Sequence, residues 1–318
     1  MTRDARNLLL FKEAQANAQN LRTNFYRRTC PNVESIVNQT TARFISRAPS
    51  LAAALLRMHF HDCFVRGCDG SVLLNSTGNS TAERDAIPNQ SLRGFQVIDA
   101  VKTAVERQCP GRVSCADILA LVARDAVSQI NGPFWRVPLG RRDGNVSIAN
   151  EALANLPPPS FNVTQLINSF AAQGLSVKDL VVLRAYNRGL PLLQLHDPHI
   201  QLHRPRRRGS EHGSQLRSGT EEEMLATDTT SIVQMDPGSS QDFNTDYYTL
   251  IRKRRGLFTT DAELLNNNET SAYVRLHSTS SQDSSFFRDF AESMVRMGRI
   301  GVLTGTAGQI RRICSVVN

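Results

Sequence analysis

The sequence predicts a mainly α-helical protein. Apolar residues recur at helical spacing along the chain, and the alternation typical of strands is nearly absent. The composition is that of an ordinary globular protein, with 40% hydrophobic and 21% charged residues, which argues against a disordered or membrane-embedded chain. The 318 residues suffice for one large domain or two modest ones around a sizeable core.

Eight segments carry the helical pattern. They are Val33 to Arg47, Ser50 to Asp62, Phe95 to Arg107, Ser114 to Ile130, Val163 to Gln173, Val177 to Leu183, Asp261 to Leu265 and Ser285 to Met297. Ser114 and Asn162 stand directly before two of these segments and are suitable N-cap residues. The three prolines from 157 to 159 predict an extended loop between helices.

The first 20 residues are predicted to be a leader-like or aberrant N-terminus, and residues 21–318 the folded domain. The apolar run from Leu8 to Phe11 is shorter than the roughly 7–15 residues of a secretory h-region, so no signal peptide is visible. No stretch reaches the roughly 20 apolar residues that span a bilayer, and we expect no membrane association. Six cysteines and several N-x-S/T sequons nevertheless indicate a secreted protein, extracellular or vacuolar. The sequons include those that begin at Asn38, Asn75, Asn79, Asn145, Asn162 and Asn268.

The segment from Leu55 to Ser71 holds the densest group of chemically active side chains. On a helix, Arg57 and His61 share a face, so a fixed cation and a titratable imidazole would point into one cavity. Asp62, Asp69 and Ser71 follow, with backbone carbonyls between them, and such hard oxygen ligands are those that Ca²⁺ prefers.

Three other interpretations of the polar residues compete with this one. A zinc site could use His59, His61, Cys63 and Cys68, but histidines two apart on a helix do not face each other. A lone histidine is often a satisfied core residue, but here it stands among arginine, aspartate and cysteine. The net charge of +8 and the basic run at 204–208 could suggest a nucleic-acid binder, but that run contains a proline and no interleaved aromatic residue.

At these residues the sequence resembles the secreted plant haem peroxidases of class III, whose distal motif is R-x-H-F-H-D-C-F-V-x-G-C-D. The resemblance covers about 21–183 and 228–318. It includes Val113-Ser-Cys-Ala-Asp-Ile-Leu-Ala120, Gly140-Arg-Arg-Asp-Gly144 and Met297-Gly-Arg-Ile300. It implies a two-lobed haem peroxidase fold, with haem b between a distal and a proximal region. It also implies that the protein oxidises small phenolic donors with hydrogen peroxide. We expect the protein to be a monomer with no nucleic-acid partner.

The resemblance implies roles for the distal residues. His61 would be the general base, Arg57 would stabilise charge on the peroxide oxygen, and Asn89 would orient the imidazole. Phe60 would contact the haem, and Pro157 would line the exposed haem edge where a phenol docks.

The resemblance also implies two calcium sites and three disulfides. The first calcium would be held by Asp62, Val65, Gly67, Asp69 and Ser71, with Glu83 in its outer shell. The second site is eroded: Asp236 and Ser239 match the family, but Asn244 stands where the family usually has aspartate. The implied disulfides are Cys30–Cys109, Cys63–Cys68 and Cys115–Cys314.

The proximal side departs from the family pattern. After Leu183 the family reads S-G-A-H-T-I-G, and its histidine ligates the haem iron, whereas this chain continues with Arg184 and has no histidine there. Tyr186 is near that place, and tyrosine can bind haem iron. Asp261 resembles the residue that supports the proximal imidazole. An alternative function is therefore a secreted calcium-binding glycoprotein of this fold without turnover.

The segment 184–227 is predicted to be family sequence translated in a shifted frame. One base out of frame, the codons for Ala185 to Arg188 permit His-Thr-Ile-Gly, and Met224 followed by Leu225 forces a cysteine whatever their codons are. That cysteine and one permitted at Leu192 would restore a fourth family disulfide. The alternative is a diverged, loop-like or disordered insert, which the loss of helical periodicity and the charge runs would also fit.

Overall fold

The computed structural model describes residues 20–184, 242–256, 258–279 and 283–318, and the backbone of two short strands. As predicted, helices dominate the described residues. In chain order they are α1 (Val33–Ile45), α2 (Leu51–Val65), α3 (Phe95–Gln108), α4 (Cys115–Gln129), α5 (Ala149–Asn155), α6 (Val163–Ala172), α7 (Val177–Arg184), α8 (Asp246–Arg252), α9 (Thr259–Glu263), α10 (Asn268–Thr279) and α11 (Asp283–Met297). Strands β1 (Leu193–Gln194) and β2 (Ile232–Val233) pair antiparallel, with Leu193 opposite Val233.

All eight predicted helices are present. The largest difference at one boundary is at α2, which ends three residues after the predicted segment, while α9 begins and ends two residues early. Helices α5, α8 and α10 were not predicted. The buried face of α10 consists of Thr270, Ser271, Val274 and His277, so it has no apolar stripe for the sequence to display.

The N-cap predictions are confirmed. Ser114 Oγ accepts a hydrogen bond from the backbone N–H of Asp117 at the start of α4. Asn162 forms a reciprocal capping box with Gln165 at the start of α6. These bonds satisfy backbone donors that the first turn of a helix leaves without partners.

The helices pack in two groups, which form the two lobes. In the first, α1 packs on α3 and α4, and α2 packs on α4. In the second, α7 packs against α6, α10 and α11, and α8 packs against α10. Helix α2, which carries Arg57 and His61, is buried along most of its length and belongs to the first lobe.

The buried carboxylate of Asp117 joins distant parts of the chain. It accepts hydrogen bonds from Tyr26 Oη and the Gly140 N–H, each at 2.7 Å, and from Arg141 Nη1 at 2.8 Å. Arg141 Nε also donates to the carbonyl of Gly298 at 3.0 Å. One side chain of α4 thereby holds the N-terminal segment, the loop after α4 and the end of α11 in place.

Three disulfides fasten the first lobe and the C-terminus. They join Cys30 to Cys109, Cys63 to Cys68 and Cys115 to Cys314, the pairs that the resemblance implies. The last of them ties the C-terminal segment to the first residue of α4.

The two segments that depart from the family lie mostly outside the described residues: 1–19 of the leader-like N-terminus and 185–227, apart from the backbone of β1. Among the described helices, no single one has the length and apolar composition needed to cross a membrane. Helices α6 and α7 reach that composition only together, across a bend of 105°.

The Ser114 cap supplies a test of the fold. Ser114→Ala leaves the Asp117 N–H without its acceptor, and we expect it to lower the free energy of unfolding by about 1 kcal/mol. Urea denaturation measures the change, with Ser35→Ala on the exposed face of α1 as the control. A loss no larger than that of the control would contradict the assigned cap.

Candidate active site

Helix α2 places Arg57 and His61 one turn apart. Arg57 Nε donates a hydrogen bond to His61 Nε2 at 3.0 Å. The predicted pair is therefore in direct contact, with the imidazole buried and the guanidinium partly buried.

The side chain of Asn89 fixes the tautomer of His61. Asn89 Nδ2 donates to the carbonyl of Glu83 at 2.7 Å, so its Oδ1 faces the imidazole. Asn89 Oδ1 lies 2.5 Å from His61 Nδ1. Because this oxygen can only accept, the imidazole carries its proton on Nδ1 and presents the lone pair of Nε2.

The same short segment also holds Arg57. Arg57 Nη1 donates to Ser91 Oγ at 2.9 Å, and Nη2 donates to the carbonyl of Pro88 at 2.8 Å. Residues 83–91 thus anchor the base and the cation together. Ser91 and the Pro88 carbonyl were not predicted; their closeness in sequence to Asn89 is the only signal that could have indicated them.

The electrostatics of this distal group favour a neutral base. Burial lowers the pKa of His61 well below its usual value, and the nearby Arg57 guanidinium lowers it further. The hydrogen bond to Asn89 opposes this shift without reversing it. His61 is therefore neutral near pH 7 and able to accept a proton at Nε2.

Apolar side chains surround the base on one side. Phe60 stacks on Phe64 with ring centroids 3.9 Å apart, and its ring centroid lies 6.0 Å from that of His61. Phe170 from α6 lies 6.0 Å from Phe60. Pro157, in the extended loop after α5, is half-buried.

The turn after α2 brings the predicted calcium ligands together. The backbone N–H of Gly70 donates to Asp62 Oδ2, and that of Ser71 donates to Asp69 Oδ1, each at 3.0 Å. Ser71 Oγ and both carboxylate oxygens of Glu83 are buried without a hydrogen-bond partner. Burial and the repulsion between these carboxylates raise the pKa of Asp62, and burial raises that of Glu83 to about 8. Partnerless oxygens and crowded buried carboxylates are the environment that a hard divalent cation would neutralise.

Two backbone carbonyls complete the predicted ligand set. Val65 O accepts from Asn155 Nδ2 at 2.9 Å, and Gly67 O accepts from the N–H of Asp69 at 2.8 Å, so each keeps a second lone pair. Gly67 has a φ of +97°, and a Cβ there would lie 2.5 Å from the carbonyl oxygen of Gly301. Only glycine fits this turn, where two backbones meet.

The carboxylate expected to support a proximal imidazole has other partners. Asp261 is buried and accepts hydrogen bonds from Arg184 Nη2 at 3.1 Å and Tyr247 Oη at 2.8 Å. Its other oxygen accepts from the N–H of Phe258 at 3.1 Å. The predicted proximal carboxylate is thus already bonded to an arginine.

The other proximal predictions are not tested by the structure. Tyr186 and the second calcium ligands Asp236 and Ser239 lie outside the described residues. The zinc alternative is not supported by the described residues, because Cys63 and Cys68 are joined in a disulfide and the His61 ring is bonded to Asn89.

Comparison with known proteins agrees with this geometry. A family model described as "Peroxidase" matches residues 37–280. The chain is 51% identical to Peroxidase 1 of Oryza sativa subsp. japonica over 98% of its own length and 97% of that protein. It is 50% identical to Peroxidase 27 of Arabidopsis thaliana, over 98% of the chain and 96% of the relative. The chain belongs to the class III plant peroxidase family.

The fold and the function of this peroxidase follow from its family. It has the mainly helical haem peroxidase fold, and its function is that of a haem peroxidase, a hydrogen-peroxide-dependent oxidoreductase. A third relative, Peroxidase 3 of Arabidopsis thaliana, is 52% identical over 94% of the chain and 92% of its own length. The relatives therefore favour the enzyme over a glycoprotein without turnover.

The calcium turn gives a second test. Removing Ca²⁺ from the peroxidase leaves the buried carboxylates uncompensated, so excess EGTA should lower the thermal unfolding midpoint by roughly 5 °C or more. Differential scanning calorimetry measures the shift, and Ca²⁺ but not Mg²⁺ should reverse it. In Ser71→Ala, which lacks one predicted ligand, the shift should be smaller. An unchanged midpoint in EGTA would show that no calcium is held there.

Proposed function

We propose that this peroxidase oxidises small phenolic donors with hydrogen peroxide, uses haem b and receives its donors beside Pro157. The observation that carries the proposal is the distal group. A buried neutral imidazole, oriented by Asn89, lies against the guanidinium of Arg57. This combination supplies a proton acceptor and a fixed positive charge at one place.

Bound haem would supply the redox-active iron. The described residues supply proton transfer and charge stabilisation. His61 Nε2 can accept a proton from one oxygen of hydrogen peroxide and return it to the other, so that this second oxygen can leave as water when two electrons from bound haem break the O–O bond. Arg57 cannot be the base, because its pKa is above about 12, and it stabilises negative charge on the oxygen instead. Since Arg57 Nε lies 3.0 Å from His61 Nε2, peroxide must displace this bond to reach the base.

We further propose that the peroxidase binds two calcium ions. The partnerless oxygens of Ser71 and Glu83 and the crowded carboxylates around them support the first ion. The second would use Asp236 and Ser239.

The secreted location is also a proposal. Five sequon asparagines, Asn75, Asn79, Asn145, Asn162 and Asn268, are exposed, as carriers of a glycan must be. Disulfides persist in oxidising compartments, and the three found here fit that location. We propose a monomeric glycoprotein that acts on peroxide and phenols and has neither a nucleic-acid nor a membrane partner.

For the proximal side we propose that a frame shift hides the iron ligand. The permitted His-Thr-Ile-Gly begins just after Arg184, and the forced cysteine at 224–225 lies in the same shifted frame. The presence of Asp261 supports the idea, since the family resemblance implies that this carboxylate supports the imidazole of the missing histidine. Sequencing the transcript across 184–227 tests the shift directly. A peptide from the expressed protein containing Asp197-Pro-His-Ile200 would contradict it.

The two versions of the chain should differ in haem binding. We expect the version with the shifted frame restored to take up one haem per chain and to show a Soret band. The printed chain should bind haem weakly and turn over little peroxide, because it lacks the axial histidine. Haemin titration at equal protein concentration compares the two. If the printed chain bound haem as tightly as the restored one, the axial histidine would not be required for haem binding.

The role of His61 can be tested in haem-loaded protein. His61→Ala should slow the reaction with hydrogen peroxide by at least about 10²-fold, as is typical when a general base is lost. Stopped-flow absorbance measures the rate per bound haem. His59→Gln is the matched control, since His59 lies two residues away on α2, is buried, and is kept neutral by a pKa of about 3. A near-native rate in His61→Ala would mean that another group is the base.

A further inference from the structure

Arg184 is a buried cation at the end of α7. Its side chain is 8% exposed, and Nη2 contacts both the carboxylate of Asp261 and the hydroxyl of Thr260. Isolated buried charges are costly, so a guanidinium at this depth depends on its anionic partner. The contact spans 77 residues of sequence and joins α7 to α9.

The carboxylate has only one cationic contact among the described residues. Its remaining donors, the Tyr247 hydroxyl and the Phe258 N–H, are neutral. Burial and the nearby carboxylate raise the pKa of Tyr247 well above its usual value, so the phenol stays protonated and donating. The positive charge that balances Asp261 therefore comes from Arg184.

The guanidinium contacts the carboxylate through one of its nitrogens. Nη2 makes the contacts to Asp261 and Thr260, whereas Nε is buried and has no hydrogen-bond partner. The buried head thus lies beside the carboxylate with one N–H donor left unsatisfied.

We infer that Arg184 is the built-in charge partner of Asp261 in the printed chain, and that its head occupies a site for one small planar cation. Removing the side chain would leave a cavity with an uncompensated buried carboxylate. Free guanidinium or imidazolium matches that cavity in charge, planarity and hydrogen-bond donors. The inference concerns the printed chain, without haem, and does not depend on the proposed peroxidase chemistry.

Chemical rescue tests the site. Arg184→Ala should lower the thermal unfolding midpoint by roughly 5 °C or more, because a buried carboxylate loses its partner. Guanidinium chloride at about 20 mM should restore a large part of this loss, while equal concentrations of sodium chloride or urea should not. The unsubstituted protein should show no gain. Absence of rescue in a folded variant would overturn the inference.

A second pair of variants keeps the test informative if Arg184→Ala does not fold. Arg184→Met and Asp261→Asn each leave one charge buried without its partner, whereas the double variant leaves none. The double variant should therefore unfold at a higher temperature than either single variant. Rescue by guanidinium should be absent when Asp261→Asn is combined with Arg184→Ala. Additive losses in the double variant would show that the two charges do not depend on each other.

Discussion

The hydrogen bonds to the buried carboxylate of Asp117 hold the first lobe in its working shape. Three residues from two separate segments donate to this one side chain: Tyr26, and the neighbours Gly140 and Arg141. A buried carboxylate with that many partners is strongly oriented, because each partner left without it would be a costly buried polar group. The Ser114 cap and the Cys115–Cys314 disulfide secure the same end of α4. Helix α2 packs on this fixed element.

The group around His61 and the calcium turn depend on the same neighbouring residues. His61 and Asp62 are consecutive residues of α2, one in the distal group and the other in the calcium turn. Glu83 serves both: its carbonyl orients Asn89, and its carboxylate lies among the buried oxygens of the turn. A cation that fixes this turn therefore also fixes the geometry of proton transfer. On the proximal side the buried carboxylate of Asp261 is balanced by a side chain, the guanidinium of Arg184, rather than by a metal ion.

The sequence predicted what local spacing determines. The contact of Arg57 with His61 follows from four residues of helical separation, and the N-caps follow from their side chains. Asn89 is 28 residues from His61, so only the family resemblance could place it there. The partner of Asp261 was not predicted, because spacing says nothing about contacts across 77 residues. Helix α10 was missed because polar residues fill its buried face.

The contact of Gly67 with Gly301 limits how this family can vary. A Cβ on Gly67 would come within 2.5 Å of Gly301, and one on Gly301 within 2.8 Å of Gly67. A larger residue at one position cannot be offset by a smaller one at the other, because both residues are already glycine. Contacts in sequence comparisons are usually revealed by compensating pairs of substitutions. These two residues cannot undergo such paired changes. Their contact should be invisible to covariation and show itself only as two glycines that do not change.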